Sequence, residues 1–158
     1  MALTLTSPAF QAGEKIPSKY TCEGADISPP LAFSGVPSGT KSLALIVDDP
    51  DAPDPAEPKR VWVHWLMYNL PPESGGLPED ADRNGLPEGA ATGLNDRKQT
   101  AYHGPCPPIG RHRYFHKLYA LDTTLAGKAF TKAELEAAME GHVLAEAALI
   151  GTYQKGDP

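Results

Sequence analysis

Proline and glycine punctuate this sequence so densely that long helices have little room. There are 17 prolines and 15 glycines in 158 residues. Each proline fixes φ and removes a backbone donor, and each glycine loosens the chain around it. The expected product is a set of short strands joined by shaped loops. The length corresponds to one domain over residues 1–158, large enough to bury about two-thirds of its unfolded surface. A net charge of -6 and 14 scattered basic residues argue against a nucleic-acid partner, which needs a basic face. The N-terminus has neither a basic start nor a long apolar core, so no signal peptide is expected. No apolar stretch approaches bilayer length, so no membrane insertion is expected and the cytoplasm is the default compartment. Cys22 and Cys106 are the only cysteines. They read as free thiols in a reducing compartment, and without CxxC spacing they do not suggest structural zinc.

Thr40 to Val47 reads as a strand apolar on both faces, closed by Asp48-Asp49-Pro50 and therefore interior to a sheet. Val61 to Asn69 reads as the next, with Trp62, His64, Leu66 and Tyr68 on one face by strict alternation. His112 to Leu121 reads as a third, placing His112, Tyr114 and His116 opposite Arg113, Phe115 and Lys117. Weaker strands are expected near the N-terminus and around Leu31 to Phe33. Thr131-Lys-Ala-Glu134 fits a capping box at the head of the one good helix, with Gly141 as its terminator. The β-branched and aromatic end of Ala145 to Tyr153 favours a final strand. Between Leu70 and Gly110 lies a long aperiodic stretch, the kind of loop that carries function. The whole reads as a mainly β sandwich with one or two short helices.

Two segments carry the chemistry. In Asp49-Pro50-Asp51-Ala52-Pro53 the prolines stiffen an acidic turn, and either an aspartate caps the turn or it faces a ligand. An X-Pro bond there is a candidate for cis. The second segment runs from Tyr102 through Gly104-Pro105-Cys106-Pro107-Pro108 to Gly110-Arg111-His112-Arg113-Tyr114. Its Gly104 and Cys106 amides suggest an anion nest beside the imidazoles. Trp62 and His64 lie between the two segments in sequence.

These segments, with Trp62 to Asn69, Leu118-Tyr-Ala-Leu-Asp122, Ile27-Ser-Pro-Pro30-Leu31 and Gly141 to Tyr153, resemble the phosphatidylethanolamine-binding protein family. The likeness is to its compact bacterial and archaeal branch, labelled Raf-kinase-inhibitor-like. The resemblance implies a Greek-key sandwich of antiparallel sheets with a small anion pocket at one end. Family pocket positions fall on Asp49, Trp62, His64, Cys106 through its backbone amide, His112 and Tyr114, with Asp51 and Pro53 shaping the rim. Two features depart from the pattern. His116 stands where an aromatic such as Phe is expected, and the sequence ends soon after Tyr153, without the C-terminal helix that edges the pocket in mammalian relatives.

The leading expectation is a non-enzymatic binding module for a small anion or phosphorylated small molecule, without a cofactor. Its affinity should rise as pH falls through the histidine range, where imidazoles become charged. A kinase or protease inhibitor working through its surface is the alternative, and a metal-assisted hydrolase the second alternative. The apolar, aromatic strands would tolerate a homodimer.

Overall fold

The computed structural model describes residues 2–157; Met1 and Pro158, the ends of the expected 1–158 domain, lie outside them. Two antiparallel sheets face each other. The smaller holds β1 (Thr4–Thr6), β2 (Leu31–Ser34) and β5 (Gly76–Leu77) in the order β1-β2-β5. The larger has five strands: β3 (Ser42–Ala52), β4 (Arg60–Leu70), β6 (Ala91–Thr92), β7 (His112–Leu121) and β8 (Val143–Tyr153), ordered β6-β4-β3-β7-β8. A short helix, α1 (Ala81–Asn84), lies in the long connection, and α2 (Lys132–Met139) packs on the outer face of the large sheet. The Thr131 hydroxyl accepts from the Glu134 amide at 3.2 Å, and the Glu134 carboxylate takes the Thr131 amide at 2.9 Å, forming the expected capping box.

The central place of β3 follows from its composition, because a strand apolar on both faces must be covered on both. Leu43, Leu45 and Val47 join the core between the sheets with Leu5, Phe33, Trp65, Met67 and Leu118. Ala44 and Ile46 point the other way, into a second cluster closed by Leu135 and Met139 of α2.

Two local readings change. The acidic segment does not end its strand: β3 runs on to Ala52, and the register with β4 shifts between Asp49 and Ala52. The extra residue sits on the β3 side, so Pro50, which cannot donate to a ladder, falls in a bulge. The Ala52–Pro53 peptide is cis, as the sequence allowed. In β4, Val47 faces Trp65 but Asp48 faces Val63, so His64 is an inserted residue. Strict alternation is broken there. Leu66 and Tyr68 face α2 with Val63, whereas Trp65 and Met67 face the inter-sheet core. Trp62 and His64 therefore do not share a face with Leu66 and Tyr68. The bulge is what turns them toward the pocket.

The cysteines are also not free. Cys22 and Cys106 form a disulfide across a sequence separation of 84, with Cα atoms 5.4 Å apart. No helix among the described residues is long and apolar enough to cross a membrane.

Candidate functional site

The C-terminal end of β3, the N-terminal ends of β4 and β7 and the loop before β7 enclose a cavity of about 230 Å³. Asp49, Pro53, Trp62, His64, Cys106, His112 and Tyr114 line it, as the sequence led one to expect. Arg60, Arg97 and His103 line it too, and sequence reasoning missed them. Arg60 opens β4 two residues before Trp62, the one signal that could have found it. Arg97 and His103 lie in the long aperiodic connection between Leu70 and Gly110, where no local pattern singles them out.

Asp51 is not part of the lining. Its carboxylate accepts from Arg113 Nε at 3.0 Å, Arg113 Nη2 at 2.9 Å and the Arg113 amide at 2.9 Å. Those hydrogen bonds hold its pKa below the usual aspartate value. Asp51 thus clamps β3 to β7 rather than shaping the rim. Nor does His116 extend the pocket. It is 2% exposed, packs against Phe10 at 5.6 Å between ring centroids, and donates from Nδ1 to the Leu149 carbonyl at 3.2 Å. Burial pushes its imidazole down to about 4, so it fills core as a neutral ring.

Asp49 caps its turn and holds an imidazole. One carboxylate oxygen accepts from the Asp51 amide at 2.7 Å, capping the bulge, and the other meets His112 Nδ1 at 2.6 Å. Burial raises its pKa, against the lowering effect of His112 and the Asp51 amide. The far nitrogen of His112, Nε2, faces the carbonyls of Ile109 at 2.9 Å and Pro53 at 3.1 Å. Each ring nitrogen thus has a protein oxygen opposite it, and neither is left to greet a ligand. His112 acts as a strut that ties β7, β3 and the preceding loop together.

The free chemistry lies elsewhere. His64 Nδ1 stands 2.6 Å from the His103 carbonyl, which can only accept, so Nδ1 carries the proton. Burial pushes the His64 imidazole down to about 3, too low for it to become the cation expected in the histidine range. Its Nε2 is then a lone-pair acceptor. Tyr114, 1% exposed, has its phenol pKa driven upward by burial and remains a neutral donor. Among the described residues, three buried side-chain atoms meet no hydrogen-bond partner: Trp65 Nε1, in the inter-sheet core, and His64 Nε2 and the Tyr114 hydroxyl, on residues that line the cavity. Arg60 and Arg97 bring positive charge to the wall, which the neutral His64 imidazole does not.

The Pro-rich loop is fixed to the segment beneath it. Tyr102 donates its hydroxyl to the Tyr20 carbonyl at 2.8 Å, and the Cys22 amide donates to the Pro105 carbonyl at 3.1 Å. The Gly104 amide is not free for an anion, because it donates to Asp26 Oδ1 at 2.8 Å. A Cβ at Gly104 would lie 2.3 Å from the Tyr20 carbonyl oxygen and 2.4 Å from Asp26 Oδ1. Gly104→Ala is therefore expected to cost about 2 kcal/mol of stability, as overpacking against backbone does. Urea unfolding of the variant checks this, and an unchanged midpoint would contradict the close approach. Among the described residues, no group of three or more His, Cys, Asp or Glu side chains is placed to hold a metal ion.

Comparison with known proteins bears on the family and the fold. The profile of the phosphatidylethanolamine-binding protein family matches residues 6–154. A UPF0098 protein of Methanothermobacter thermautotrophicus is 52% identical over 156 residues, spanning 98% of this chain and 100% of the relative. The crystal structure of CT736, a homologue of the same family from Chlamydia trachomatis, is 47% identical, covers 98% of each chain and superposes with a TM-score of 0.89. E. coli YbcL, described as a member of the mammalian family, is 34% identical over 98% of this chain and 99% of its own, with a TM-score of 0.87. Matched along nearly its whole length in sequence and in fold, the chain belongs to the phosphatidylethanolamine-binding protein family.

Proposed function

We propose that this protein is a binding module for a small oxyanion or a phosphoryl head group. One observation carries the reading: His64 and Tyr114, whose Nε2 and hydroxyl are buried and unpartnered, line a small cavity whose wall also holds Arg60 and Arg97. Buried polar atoms are normally paired, and an orphaned one costs about 1–3 kcal/mol. Two such atoms on residues lining one cavity are accounted for by a ligand that pairs with both. At about 230 Å³ the cavity suits a phosphate-sized group better than a drug-sized molecule, whose pockets start at about 300 Å³. The reading assigns no catalytic residue, since no nucleophile–base pair stands free in the lining. The paired cysteines suit a compartment in which disulfides persist, rather than the reducing one expected from the sequence.

Calorimetric titration with inorganic phosphate and O-phosphoethanolamine, on wild type and Tyr114→Phe, tests the proposal. Wild type should bind, and the variant should bind about tenfold more weakly, the value of one hydrogen bond. The variant should be at least as stable as wild type, because the hydroxyl it removes has no partner in the fold. A folded wild type that binds neither compound would sink the proposal. His112→Ala is the poorer test, since it dismantles a strut with Asp49 before it touches a ligand.

A further inference from the structure

We propose that the pocket selects an oxyanion that still carries a proton, and rejects one of the same shape and charge that carries none; this rests on the anion-pocket reading above. The argument is one of hydrogen-bond complementarity. The His103 carbonyl, 2.6 Å from His64 Nδ1, fixes the tautomer of the ring and leaves Nε2 as an acceptor. A fully deprotonated oxyanion offers only lone pairs, so placing it against Nε2 sets acceptor against acceptor. A hydroxyl on the anion resolves this by donating to Nε2 while another oxygen accepts from the Tyr114 hydroxyl. The two orphaned atoms thus ask for a ligand that donates at one point and accepts at another.

The charged groups in the wall lead the same way. Asp49 lines the cavity and has both oxygens committed, to the Asp51 amide and to His112. It has no proton to offer a ligand and adds another acceptor to the lining. Arg60 and Arg97 supply attraction without regard to the protonation state of the anion. His103 turns its Nδ1 to the neighbouring Gly104 carbonyl at 3.0 Å. The discrimination therefore falls on His64. It is 3% exposed, and burial keeps it from gaining the second proton that would convert Nε2 to a donor.

Hydrogen phosphate and sulfate at pH 8 are both dianions of nearly the same shape and differ by one proton. Isothermal titration at that pH should give phosphate binding about a hundredfold tighter than sulfate, the cost of burying a mismatched polar pair. For methyl phosphate, whose proton is lost near a pKa of about 6, affinity should fall tenfold for each pH unit above that value. In His64→Gln the side-chain amide can turn its NH₂ toward the ligand, and the preference for phosphate over sulfate should shrink to within about tenfold. The wild-type comparison decides the matter even if that variant fails to fold. Equal binding of phosphate and sulfate overturns this inference and leaves the anion pocket standing. Binding of neither removes both.

Discussion

Moving the protein from pH 8 to pH 5 is expected to lower its unfolding free energy by about 4 kcal/mol. His64 and His116 are 3% and 2% exposed, each donates its Nδ1 proton to a backbone carbonyl, and burial lowers their pKa values to about 3 and about 4. In the unfolded chain both titrate near about 6.5. Below that pH the unfolded state takes up two protons that the folded state refuses, so stability falls as pH falls. The slope approaches about 2.7 kcal/mol per pH unit, two protons at 1.36 each. The loss begins below about 6.5 and continues until each folded-state value is reached, about 4 for His116 and about 3 for His64. Asp49 works the other way, because burial raises its pKa and the folded state holds that proton more firmly than the unfolded chain does, which offsets part of the slope near its lower end. For a domain whose total stability is of the order of 5–15 kcal/mol, the change is a large fraction. Urea midpoints measured across this pH range read it directly. His116→Phe, which keeps an aromatic ring against Phe10 and does not touch the cavity, should roughly halve the slope and leave anion affinity unchanged. A stability that stays level from pH 8 to pH 5 would mean that these rings accept protons inside the fold.

The same two histidines mark the limits of what the sequence discloses. His116 and Tyr114 were legible as neighbours on one face because β7 alternates without interruption from His112 to Ala120. β4 looked equally regular and was not. One inserted residue at His64 reverses the parity of everything after it, and a bulge has no reliable composition signal when the residues on both sides are apolar. Alternation thus pointed His64 toward the correct face but assigned it the wrong companions. The central strand, the final strand and the capping box at Thr131 were legible because each depends on local pattern. Asp51, the disulfide and the two arginines of the cavity were not, since each is decided by which segments meet across the fold. The pairing of Arg113 with Asp51 needs the register of β3 against β7, and no rule for two cysteines separated by 84 positions distinguishes free thiols from a bond. Motif order located the pocket. It did not reveal that one histidine is a strut, another an acceptor and a third part of the core.

Breaking the Cys22–Cys106 bond is expected to cost about 4.5 kcal/mol, the largest single loss predicted for this fold. In the chain-entropy treatment, a crosslink enclosing 84 positions removes that much freedom from the unfolded chain. The corresponding fall in melting temperature is about 10–15 °C for a chain of this size. The pocket itself should change far less. Cys106 lies in the cavity wall, but its loop stays tied down by the Tyr102 hydroxyl on the Tyr20 carbonyl, the Cys22 amide on the Pro105 carbonyl and the Gly104 amide on Asp26. Those hydrogen bonds survive reduction, whereas the constraint on the unfolded chain does not. A Cys22→Ser, Cys106→Ser double variant should therefore unfold at much lower urea concentration while binding phosphate within about tenfold of wild type. Equal stability of the oxidised and reduced proteins would show that the bond is not formed in solution. Loss of binding in a variant that remains folded would instead make the disulfide, rather than the hydrogen bonds beside it, the element that sets the position of the wall. The two measurements separate a crosslink that acts on the unfolded chain from one that shapes the site.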